Sequence, residues 1–153
     1  MRIPAYLELA HTSVGLLAAS YRRTATDHPD EPDIASVCGT LAEQCDDHRA
    51  AVGPMVRRYG AADAGDVPAE PPTVRTAAAG SGSVGLLRDL QDLWMLASFV
   101  HLTWTVVEQA AQGLRDHGLV TVVAGCDRDT QVQLQWLTTR IKQAAPQALI
   151  VGR

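Results

Sequence analysis

Aromatic residues are scarce in this 153-residue sequence: three Trp, three Tyr and one Phe. There is no basic tract, no RNP-like aromatic signature and no zinc-finger spacing. The net charge is −4, so nucleic acid is not an expected partner. The three cysteines, Cys38, Cys45 and Cys126, are an odd number without a CxxC pair. That argues against a disulfide framework and for a reducing, cytoplasmic compartment. Long apolar runs are missing too. The richest, Leu93 to Val107, is about 15 residues and contains His101, against the roughly 20 needed to span a bilayer. A soluble protein with no membrane partner is therefore expected. Acidic Glu8 and then His11 follow Met1 too soon for a signal peptide. No Gly-rich phosphate loop, Walker sequence, haem attachment motif or Gly-x-Ser-x-Gly elbow occurs. No internal repeat is present, and the one β-branched cluster, Val120 to Val123, fits a helical period, so no strand is expected.

What remains is helical periodicity. With 46% apolar and 20% charged residues, the chain reads as one domain, residues 1–153, with a core that needs no staples. Residues 5–26 place Leu7, Ala10/His11, Val14, Leu17/Ala18 and Tyr21 at helical steps, with Arg22 and Arg23 near the C-terminal dipole. Pro29 and Pro32 end that helix, and Asp33 is a natural cap for the next. The second helix carries Ile34, Val37/Cys38, Leu41, Cys45, His48 and Val52 on one stripe. Gly53-Pro54 predicts a kink or break, and Gly60 a stop. Residues 61–82, rich in Ala, Gly and Pro, form a linker of about 22 residues, long for a compact domain. Ser83 is the expected cap of a third helix running to His117, with Leu90, Trp94, Ala97, His101, Thr105 and Glu108 along one side. A fourth helix carries Leu119, Val123, Cys126, Thr130, Leu134, Leu137, Ile141 and Ala144 up to Pro146, followed by a short apolar tail, Ala148 to Val151.

Four such helices predict an all-α four-helix bundle. The short connection after the first helix makes the first two antiparallel neighbours. His11 lies about 16 residues before the end of its helix and His48 about 15 after the start of its own, so the two share a level. The linker can extend to roughly 70 Å, whereas the second helix is about 40 Å long. A crossover would start the third helix at the same end as the second and bring His101 within a turn of His48. Glu8, one turn from His11, and Cys45, one turn from His48, complete a candidate metal shell of His11, His48, His101, Glu8 and Cys45. Imidazole suits several transition metals, and a carboxylate adds a hard ligand. The fourth helix supplies no ligand at that level.

Helix pair, long crossover and helix pair resemble the ferritin-like superfamily, whose di-iron members place Glu on two helices and Glu-x-x-His on two others. Glu8-Leu9-Ala10-His11 has that spacing. Cys45-Asp46-Asp47-His48 has Cys where Glu would stand, His101 replaces the Glu of the third helix, and the fourth helix has no Glu. The resemblance implies an up-down-down-up bundle with the crossover between helices 2 and 3. Any site would be altered or hold one transition metal, iron or zinc, or a small ligand. The alternative is a non-catalytic bundle, a homodimer or a partner-binding protein, whose histidines are structural. In that reading the Trp-bearing faces and the Ala148–Val151 tail need covering. His28, in a polar loop, reads as surface, His117 as facing a helix C-terminus, and Cys38 and Cys126 as small buried hydrophobes, while Cys45 stands out for His48 three residues later. The Arg/Asp alternation around Asp127 and Asp129 reads as a solvated face.

Overall fold

The computed structural model describes residues 1–63, 65–66, 70–73, 80 and 82–151. The expected linker over 61–82 therefore lies partly outside the described residues. Among the described residues there are four long α-helices and no strand: α1 (Ile3–Asp27), α2 (Pro32–Tyr59), α3 (Ser83–Gly113) and α4 (His117–Pro146). A π-helical turn, Gln147–Val151, follows α4 and folds the apolar tail onward, burying Ala148. α1 packs along α2 and α3 along α4, and the two pairs meet through α1 against α3 and α2 against α4. This is a helical bundle, and no described helix is long and apolar enough to cross a membrane.

Local chemistry explains most of the boundaries. Pro4 and Pro32 sit in the first turns of α1 and α2, where a missing N–H costs no helical bond. Gly60 closes α2 at φ 81°, a conformation that favours glycine, and its N–H donates to the Val56 carbonyl. Asp116 caps α4 by accepting from the Leu119 N–H at 3.1 Å. It also accepts from the Tyr59 hydroxyl at 2.6 Å and pairs with Arg58, which ties the end of α2 to the start of α4. Those donors, Tyr59 first, hold the Asp116 carboxyl below the usual range.

Three local expectations are corrected. Pro54 does not break α2, which continues to Tyr59. Its ring is exposed near the helix end, so the one freed carbonyl can meet water. Ser83 makes no side-chain cap; Gly82, at φ 98°, stands at the cap position. His117 opens α4 instead of closing α3, because Leu114, Arg115 and Asp116 turn the chain first, Arg115 at φ 54°.

α3 is the central element, but its inward stripe differs from the expected one. Leu86, Leu90, Leu93, Ala97, Val100, Trp104, Val107 and Ala111 are all buried. Their alternating steps of four and three form a coiled-coil-like seam. Trp94 and Thr105 instead face outward, and Trp94 donates its indole N–H to Thr138 Oγ1 at 3.1 Å. The expected stripe shares Leu90 and Ala97 with the true seam and then drifts off it. α3 is apolar on two sides, so its periodicity alone does not say which side is inside.

The core also holds a polar knot. Gln133 is fully buried: its Oε1 accepts from the Tyr21 hydroxyl at 3.0 Å and its Nε2 donates to Gln44 Oε1 at 2.8 Å. Burial raises the Tyr21 hydroxyl well above the ordinary tyrosine range, so it stays a donor.

Candidate functional site

Three of the five histidines, His28, His48 and His101, define the polar interior, each held by an aspartate from another element. His48, buried on α2, has Nε2 2.9 Å from Asp129 Oδ2 of α4, and its ring meets Trp104 edge-on with centroids 6.4 Å apart. His101, part-buried on α3, has Nδ1 2.5 Å from Asp127 Oδ1 of α4. Asp127 also accepts from Gln131 Nε2 at 3.0 Å. His48 Nδ1 is buried without a hydrogen-bond partner. Trp104, one turn beyond His101 on α3, thus touches His48, and the two histidines lie within about a turn of one level.

The five residues expected to form a metal shell do not converge. His11 faces an outer groove between α1 and α2, beside Arg49, Ala50, Gly53 and Arg57. His48 points the other way, into the core. The separation follows from helix geometry: residues 48 and 49 differ by about 100° around α2, and His11 meets the Arg49 side. Glu8 is exposed and accepts from the Ala62 backbone N–H at 3.1 Å. Cys45 is buried against Gln133, its Sγ 3.7 Å from Nε2. Among the described residues no group of three or more His, Cys, Asp or Glu side chains is placed to hold a metal ion.

Two further readings are corrected. The Arg/Asp alternation of α4, expected as a solvated face, supplies both hydrogen-bond partners, Asp127 and Asp129, and Asp127 is buried. His28, expected at the surface, is 4% exposed, with Nε2 2.7 Å from the buried Asp89 Oδ2 at the start of α3. These aspartates carried no motif. The available signal was Asp89 between Leu87 and Leu90 on an apolar helix, where an unpaired carboxylate would be costly.

Three His–Asp pairs invite a catalytic reading, since such a pair can orient a general base. A nucleophile is needed as well. Among the described residues no hydrogen bond joins a histidine ring to a Ser, Thr or Cys side chain. The thiols are poor candidates, because burial pushes Cys38, Cys45 and Cys126 each up to about 12. A thiol-specific disulfide reagent at mildly alkaline pH should therefore react with the native protein at least about a hundredfold more slowly than with the unfolded chain. A fast native phase would show that one cysteine is accessible and activated.

Comparison does not add a relative. No family model matches the chain, and no curated protein or solved structure matches it. The remaining guide is the surface, where the most distinctive feature is the outer side of α3. Met95 is 60% exposed, Leu102 59% and Val106 47%, with Phe99 half-buried among them. Between Asp92 and Glu108 this helix carries no charged residue. Apolar grooves flank the stripe. One, of about 410 Å³, runs past Trp94, Met95 and Ile141, and the other, of about 350 Å³, past Ile3, Tyr6, Val106 and Leu114.

Proposed function

We propose that the chain is a non-catalytic helical bundle that works by pairing with a second copy of itself through the outer face of α3. The observation that carries this is the uncharged stripe Met95, Phe99, Leu102 and Val106. Its steps of four, three and four repeat the spacing of the inner seam, which is the pattern a helix uses to pack against another helix. The spacing also reads the same in both directions. A twofold axis between Phe99 and Leu102 would set Met95 against the partner copy's Val106 position and Phe99 against its Leu102 position, the self-complementarity that an isologous dimer requires. The stripe from Met95 to Val106 spans about 17 Å, and one helix diameter wide it covers roughly 200 Å². The flanking grooves bring the face towards the roughly 800 Å² per partner of a standard interface.

We also infer that the bundle runs up-down-down-up, as the ferritin-like resemblance implies. Support comes from which ends meet. His28, just after α1, pairs with Asp89 near the start of α3. Glu31 and Asp33, at the start of α2, pair with Arg140 near the end of α4. At the other end Arg58 of α2 pairs with Asp116 before α4.

Sedimentation equilibrium tests the pairing. The wild-type chain is expected to sediment as a dimer, and a Met95→Glu/Leu102→Glu variant as a monomer with unchanged helical circular dichroism. Each buried charge should weaken association at least about tenfold. A wild-type chain that stays monomeric at its highest soluble concentration would overturn the proposal.

A further inference from the structure

On the opposite helix pair, the α1–α2 groove gathers positive charge in an arrangement that self-association does not use. The groove encloses about 440 Å³ and is lined by His11 of α1 and by Asp46, Arg49, Ala50, Gly53 and Arg57 of α2. Arg49, Gly53 and Arg57 follow one another at intervals of four residues, so they share one face of α2. Both arginines are exposed, and each lies against a glycine. The Nε, Cδ and Cζ atoms of Arg49 lie 3.3–3.6 Å from the position a Cβ would take on Gly15, so its side chain rests on the α1 backbone. Arg57 Nη1 lies 3.5 Å from the corresponding position on Gly53. Gly15 thus makes room for the Arg49 guanidinium, whereas a Cβ at Gly53 would be in ordinary contact with Arg57.

The charges in this groove are not balanced. Asp46 is the one carboxylate lining it, and that side chain is held by Arg22 through both oxygens. Among the described residues neither Arg49 nor Arg57 has an ion-pair partner. Glu8, one turn before His11, is turned to the Ala62 backbone. Bringing two cations together costs Coulomb energy that an anion between them would recover. Guanidinium groups offer paired N–H donors that match the oxygens of a phosphate, and the imidazole adds another donor or acceptor.

We propose that the groove formed by His11, Arg49 and Arg57 binds a phosphate group. The state of His11 fits an occupant of that kind. Burial, then the fields of Arg49 and Arg57, lower its pKa below the ordinary histidine value. A bound anion would offset both arginine fields, so His11 serves as the reporter.

The experiment titrates inorganic phosphate into the full chain at constant ionic strength and follows the His11 ring resonances by NMR. A parallel arm pellets the protein with vesicles of phosphatidic acid in phosphatidylcholine, which present the same group as a lipid headgroup. A saturable His11 shift is expected. Arg49→Gln and Arg57→Gln should each weaken it about tenfold or more, the loss typical of a charge-assisted hydrogen bond. Arg128→Gln removes the same charge from an exposed site on α4 and should leave binding unchanged. Gly15→Ala keeps every charge and raises helix propensity, but its methyl group displaces Arg49; several-fold weaker binding with undiminished thermal stability is expected. Vesicle binding that depends on Arg49 and Arg57, without a response to free phosphate, would identify the phosphate as a headgroup. No saturable response in either arm would overturn the proposal. So would a loss shared equally by Arg128→Gln.

Discussion

His28→Ala is expected to destabilise the protein by about 3–5 kcal/mol, the cost of leaving a buried charge without its partner. Asp89 is 2% exposed, and its Oδ2 is paired with His28 Nε2 at 2.7 Å. The other oxygen, Oδ1, is buried with no hydrogen-bond partner. The imidazole is therefore the hydrogen-bond partner of that carboxylate, and its removal leaves both oxygens buried without one, in a cavity that Ser20 and Arg23 also line. Asp89→Ala should cost less, about 1–3 kcal/mol, because an unpartnered ring nitrogen costs less to bury than an unpartnered carboxylate. The double variant His28→Ala/Asp89→Ala should be more stable than the sum of the two single losses predicts. Urea denaturation of the four proteins, combined as a double-mutant cycle, measures that coupling. A His28→Ala loss under about 1 kcal/mol would show that the pair is solvated in practice.

Trp104→Ala should cost a similar amount, about 3–5 kcal/mol, for a different reason. Trp104 is the largest fully buried side chain and sits in the inner seam of α3 between Val100 and Val107. Its removal leaves a cavity that three other helices cannot close without losing their own contacts. The indole N–H has no hydrogen-bond partner, so Trp104→Phe removes an unsatisfied donor together with part of the volume. That variant should lose less than half as much as Trp104→Ala. Unfolding followed by helical circular dichroism, which does not depend on the deleted fluorophore, gives both values. An unchanged urea dependence would locate the effect in the folded state.

Both predictions concern residues that the sequence placed wrongly, and the reason is physical. Helix positions were legible because proline and glycine act locally: Pro29, Pro32 and Gly60 mark their boundaries without reference to the rest of the chain, whereas Asp33, expected to cap α2, lies inside its first turn. Core membership of Leu7, Val14, Tyr21, Cys45, His48 and Leu137 was legible from helical spacing. What spacing does not encode is which polar residue meets which across elements. His28 and Asp89 are 61 residues apart, and a loop histidine before a proline has nothing local to distinguish it from a solvated one. Asp127 and Asp129, set among Arg128 and other polar residues, look like a charged surface until α2 and α3 are placed beside them. His11 was assigned to the interior because it neighbours Ala10, and a single step of about 100° put it on the outer groove. On α3 the difficulty was excess, not absence, of apolar residues. Two seams on one helix led the pattern to place Trp94 on the inward stripe and to leave Trp104 off it, although Trp94 is exposed and Trp104 fully buried.

The two aspartates of α4 carry a consequence for how uniquely the bundle is assembled. They are two residues apart, so they leave the helix axis in directions about 200° apart. One reaches His101 on α3 and the other His48 on α2. A helix bearing an apolar stripe can roll in its groove or slide by a turn and still bury much the same area. With a tether on either side, rolling stretches one of them and sliding by a turn breaks both. α4 is thus held like a beam between two opposed stays, and its angular setting is fixed by polar geometry where greasy packing alone would leave play. His48 and His101, both of the expected metal shell, are the fixed points of those stays, and the tolerance they set for α4 is passed to everything stacked on it.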